Sequence, residues 1–185
     1  MKKALLFLAC CLMALTIQAQ KEHLKFMGIP LNGTIAQFQS KLAAKGVAYD
    51  NRGSQNIPIG CRAFTGTFSG EKAFIYVYYN SKTKIVYRAK AVIIDTDKDR
   101  IERKLNDYKM SILRKYDDGG GENYEQEGHP AYTHYVPDED DNLVGTIGLY
   151  ISNPTHSYDD DWALHVDYTD YINSEANESK NMDDL

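Results

Sequence analysis

Apart from two cysteines near its start, the sequence offers five histidines, a lone Cys61 and two acidic runs as side chains with obvious chemistry. Nucleophilic catalysis needs a serine or cysteine beside an imidazole base, and an acid to orient that base. His129 precedes Pro130 in a turn, His134 falls within a strand, and His165 shares a strand parity with Asp167. No Gly-x-Ser-x-Gly elbow is present. Cys61 is distant in sequence from every histidine and, at the start of a strand, reads as a small buried apolar residue. Histidines on the wet side of a strand are ordinarily solvated. A hydrolase using His129, His134 or His165 is therefore the alternative, and the first expectation is a protein without catalytic residues.

The acidic runs suit hard cations only superficially. Asp138-Glu139-Asp140-Asp141-Asn142 offers oxygens at alternating positions, but a calcium loop requires glycine at its sixth position and glutamate at its twelfth. Leu143 and Leu149 stand there. This run and Asp159-Asp160-Asp161 read as solvated hairpin tips, with a weak envelope cation binder as a further alternative. No metal ligand set and no cofactor is assigned. Gly119-Gly120-Gly121 follows a helix instead of preceding one, so it stops that helix and does not cradle phosphate.

Tyrosine is the compositional excess, with 14 in the chain. Tyrosine combines a large ring, a hydroxyl and little rotamer entropy, which suits binding surfaces, although it also favours strands and stacks across them. Tyr76, Tyr78 and Tyr79 cluster on one strand, while Tyr87, Tyr132, Tyr135, Tyr150 and Tyr168 fall on others. Tyr87 and Tyr168 take the apolar parity and are expected in the core. If Ile75 and Val77 face the helices, then Phe74, Tyr76 and Tyr78 face away, and Arg88 and Lys90 join them from the next strand. These five residues form the expected binding patch. The direction in which Tyr76 points decides whether it exists.

The elements that must position these residues are well signalled. Asn32-Gly33 breaks the chain, Thr34 and Gln37 stand at capping-box spacing, and Ile35, Phe38 and Leu42 recur helically before Gly46. Residues 47–60 carry turn chemistry. Three strands follow, Cys61–Phe68, Lys72–Tyr79 and Lys84–Asp95, joined by Ser69-Gly70 and Asn80-Ser81. In the third, Ile85, Tyr87, Ala89, Ala91 and Ile93 point one way and Lys84, Arg88 and Lys90 the other. That alternation marks an antiparallel sheet buried on one face. A second helix runs from about Asp97 to Tyr116, with Thr96 as its expected cap and an apolar stripe of Ile101, Leu105, Tyr108 and Ile112. Four further strands are expected at Asn123–Glu127, Ala131–Val136, Leu143–Ser152 and Trp162–Tyr168.

The predicted class is α+β. An antiparallel sheet, one continuous or two-part, carries two helices on one face in the order α-β-β-β-α-β-β-β-β. Residues 20–170 form one domain, with half-lobes 20–95 and 96–170 as a possible subdivision, and 171–185 read as a polar acidic tail.

The start of the chain reads as an address. Lys2-Lys3, an apolar run from Ala4 to Ile17 and Ala19 before a polar stretch make a secretory signal peptide over 1–19. The run is shorter than the roughly 20 residues a membrane helix needs, and too little of it precedes Cys10 or Cys11 for a lipid anchor there. The mature protein is expected in the periplasm or outside the cell. Its body is nearly neutral and its acids gather after His156, so nucleic acid is excluded as a partner. The expected partner is a protein, peptide or glycan of the cell envelope, and no transmembrane segment is expected.

The segment Gly28-Ile29-Pro30-Leu31-Asn32-Gly33-Thr34, leading into a Phe-containing helix, resembles small secreted α+β proteins of Bacteroidota-type bacteria. The helix-plus-sheet tandem is similar, at the level of fold only, to beta-lactamase inhibitor proteins. The first resemblance implies an exported protein of a group whose roles are largely unassigned, and the second implies a fold alone.

Overall fold

Phe26 and Ile29 alternate with polar neighbours around Met27-Gly28, and in the computed structural model they form a small hairpin that periodicity alone does not reveal. Strands β1 (Lys25–Phe26) and β2 (Ile29–Pro30) pair antiparallel. Both turn residues have positive φ, 51° at Met27 and 74° at Gly28. That is the primed turn geometry that matches strand twist. The described residues are 22–116, 119–153 and 161–174. The expected signal peptide over 1–19, Asp159 and Asp160, and the tail beyond residue 174 lie outside them.

Helix α1 (Ile35–Ala43) carries the full capping box: Gln37 N–H donates to Thr34 Oγ1, and Thr34 N–H donates to Gln37 Oε1 at 3.0 Å. Residues 47–60 are more ordered than a turn. They hold the two-residue strand β3 (Ala48–Tyr49) and the one-turn helix α2 (Asn51–Ser54), capped by Asp50. The predicted meander follows as β4 (Cys61–Phe68), β5 (Glu71–Tyr79) and β6 (Val86–Asp95). Helix α3 (Lys98–Lys115) is capped by Asp97 in place of Thr96. The Asp97 carboxylate accepts from Arg100 N–H at 3.1 Å, and an anion there also suits the positive end of the helix. Strands β7 (Gly121–Gln126), β8 (His129–Pro137), β9 (Leu143–Ser152) and β10 (Trp162–Asp170) complete the chain.

One continuous antiparallel sheet results, in the order β3-β4-β5-β6-β10-β9-β8-β7. Each half is a helix followed by four strands laid from the sheet edge to its centre. The two last strands, β6 and β10, meet antiparallel at the seam. A pseudo-two-fold relation normal to the sheet therefore places both helices on the same face. Ile35, Phe38 and Leu42 of α1 and Ile101, Leu105 and Ile112 of α3 share a single core with Ile75, Val77, Leu149, Leu164 and Val166. Burial of this apolar surface, at about 25 cal/mol per Å², is the main stabilising term.

Two segments distant in sequence are tied together. Asp170 is fully buried, and its carboxylate accepts from Leu24 N–H and Asn173 N–H at 3.0 Å and lies 3.0 Å from His23 Nδ1. Asn173 Nδ2 donates to the Leu31 carbonyl at 2.6 Å. Residues 171–174 are thus a docked helical turn. No described helix is long and apolar enough to cross a membrane.

Candidate functional site

Directly opposed residues of antiparallel strands point to the same face, so the register builds the side of the sheet away from α1 and α3 row by row. Tyr78 stands opposite Arg88, and Arg88 opposite Thr169. Tyr76, Lys90, Asp167 and Gly148 make the next row, and Phe74, Val92, His165 and Tyr150 the one after. The five expected patch residues, Phe74, Tyr76, Tyr78, Arg88 and Lys90, therefore share one face. Ile75 and Val77, at 0% exposure, point to the helices.

Tyr87 departs from expectation. It is half-buried and not part of the core, because the ladder slips beside it: Tyr78 pairs with Arg88, but Tyr79 pairs with Val86. The bulge leaves Tyr87 as the extra residue and puts Val86 in the core position that alternation assigns to Tyr87. Tyr168 is in the core as expected.

The patch is preorganised by charge. Arg88 Nε donates to Asp167 Oδ1 at 2.8 Å, and a second guanidinium nitrogen pairs with Oδ2, a bidentate fork. The same guanidinium lies 4.8 Å from the centre of the Tyr78 ring, and Lys90 Nζ lies 5.8 Å from that of Tyr76. Such cation–π contacts fix rings at about 0.5–1 kcal/mol each. Tyr150 and His165 stack at 4.3 Å with planes 6° apart. At the far end of the face Phe74 and Ile94 are each 43% exposed, so an apolar end adjoins a charged one.

Burial governs protonation here. It pushes the Tyr78 and Tyr150 hydroxyls up to about 12, assisted by Cys61 and Asp167 respectively. Burial, and then the charge of Lys90, hold His165 down to about 4. Lys90 is lowered by burial, and Cys61 is raised by burial. Near neutral pH the face presents phenol donors, a neutral imidazole and one matched ion pair. Asp167 leaves it less basic than Arg88 and Lys90 alone suggest.

Ser152 Oγ lies 2.8 Å from His165 Nε2, the first two members of a hydrolytic triad. The third is missing among the described residues: His165 Nδ1 is buried without a hydrogen-bond partner, and the adjacent Asp167 is held by Arg88. An imidazole titrating near 4 is also a weak base at neutral pH. His134 is fully buried on the helix side, 3.0 Å from Tyr132 Oη, and His129 packs edge-on against Trp162. The three histidines do not converge.

The Asp138–Asn142 loop spends its acid on itself. Asp138 Oδ1 accepts from Asn142 N–H at 2.8 Å and from Asp140 N–H at 3.0 Å. Among the described residues no three His, Cys, Asp or Glu side chains come together as a metal site.

Sequence reasoning missed Tyr150 and the partnership of Asp167 with Arg88. The shared parity of His165 and Asp167 was visible, but the pairing of β10 with β6 was not. Comparison of the chain with protein-family models, curated proteins and solved structures returns no match.

Proposed function

We propose that this is a non-catalytic binding protein, exported by cleavage of the 1–19 signal peptide to the periplasm or the medium, which engages an envelope partner through the sheet face opposite α1 and α3. One observation carries the proposal: Phe74, Tyr76, Tyr78, Arg88 and Lys90 lie on the face opposite both core-forming helices and are held there by the Arg88–Asp167 fork and by cation–π contacts. Aromatic rings beside an anchored arginine are the chemistry of protein–protein hot spots, and their ordering cost is met before binding. This favours a protein or peptide partner over a glycan.

The test is capture from envelope and medium fractions by the purified protein, with Phe74→Lys and Tyr76→Ala variants as controls. Capture is expected from the parent and at least tenfold less from each variant, with Phe74→Lys melting within a few degrees of the parent. Equal capture by all three proteins, or unfolding of the Phe74→Lys variant, overturns the proposal.

A further inference from the structure

On the opposite side of the molecule, a cleft of about 550 Å³ opens between the Met27-Gly28 turn, the Phe68-Ser69 turn and the C-terminal half of α3. That volume is in the range of small-molecule sites. Met27, Phe68 and Ile112 supply apolar wall, and Phe68 stacks on Tyr108 at 5.8 Å.

The charged groups lining the cleft are all cations. Lys25, Lys45 and Lys115 stand at its rim, and none of the described lining residues is an acid. Lys25 pairs with the exposed Glu22. Lys45 and Lys115 make no ion pair among the described residues, although Lys115 Nζ lies 4.7 Å from the Tyr116 ring centre. Tyr168 of β10 lies at the floor, 9% exposed, its ring edge-on to Phe26. Its hydroxyl makes no hydrogen bond with another described residue and is not among the fully buried polar atoms, so it is free to donate to a ligand in the cleft. Burial raises its pKa, so it remains a donor at physiological pH. Ammonium groups and a phenol donor facing an apolar wall complement an anionic head on an apolar body.

We infer that the cleft between the first hairpin and α3 is a binding site for a small amphiphilic carboxylate, with Tyr168 as donor and Lys45 and Lys115 as counter-charges. The site is independent of the proposed sheet-face platform, from which the sheet separates it.

Calorimetric titration of the purified protein with decanoate, and with decanol as its neutral counterpart, tests the inference. Decanoate is expected to bind at least tenfold more tightly than decanol. The exposed double variant Lys45→Glu/Lys115→Glu should lose at least tenfold for decanoate and leave decanol unchanged. Tyr168→Phe, which keeps the ring packed, should lose several-fold for decanoate alone. Equal affinity for the two ligands, absence of decanoate binding, or decanoate affinity unchanged in the charge-reversed variant would overturn it.

Discussion

The imidazole of His165 lies flat on the ring of Tyr150, with planes 6° apart, while its Nε2 meets Ser152 Oγ at 2.8 Å. Because burial and then Lys90 depress His165 to about 4, the unfolded chain, with histidine near 6.5, takes up the proton first as pH falls. The stability this group contributes is present above about pH 6.5 and is lost as pH drops toward 4, by an amount on the order of 3 kcal/mol. In His165→Gln, urea denaturation between pH 7 and 4.5 should show a shallower acid limb. Parallel limbs in parent and variant would refute the assignment.

The same geometry predicts inert chemistry at Ser152. With Asp167 held by Arg88, no acid among the described residues orients His165. A fluorophosphonate probe should leave Ser152 unlabelled over hours, read by intact-protein mass. Stoichiometric labelling at Ser152 would reinstate the hydrolase alternative.

The Arg88–Asp167 fork joins the two halves of the sheet across its central seam. Asp167 is 6% exposed, so Arg88→Met strands a carboxylate. Fully buried pairs lose about 3–5 kcal/mol on such a change. The Arg88 side chain is 36% exposed, and about 2 kcal/mol is expected. The Arg88→Met/Asp167→Leu double variant should recover most of it, a coupling measurable by a double-mutant cycle in urea.

Capping of α3 can be assigned by two substitutions. Asp97→Ala should cost about 1 kcal/mol, and Thr96→Ala less than about 0.5 kcal/mol, because only Asp97 accepts from the first turn. Thermal melts of both variants compare them directly.

Asp170 holds the entering hairpin to the end of β10. Removing its carboxylate in Asp170→Ala strips Leu24 N–H and Asn173 N–H of their acceptors, at about 1–3 kcal/mol for each buried donor. Hydrogen exchange over residues 22–31 should rise well before exchange in β5 or β9.

What the residues determine by themselves is local. Thr34 and Gln37 mark a helix start because both partners of the capping box lie three residues apart. Ile75 and Val77 separate from Phe74, Tyr76 and Tyr78 because strand periodicity is a property of the strand alone. The α+β class and the placing of the two long helices on one face were therefore legible, whereas which of the two sets faces those helices, and so the direction of Tyr76, was not, because parity separates the sets without saying which one is covered. Tertiary structure decided the rest. Pairing of β6 with β10 joins residues about 79 positions apart, as Arg88 and Asp167 show, and no local pattern encodes a partner at that distance. The bulge that puts Val86 in the core and leaves Tyr87 half-buried arises from two strands slipping past each other. The closure of Asp170 on Leu24, like the cleft floored by Tyr168, exists only once the sheet has assembled, because burial and the pairing of distant polar groups are settled by the whole fold.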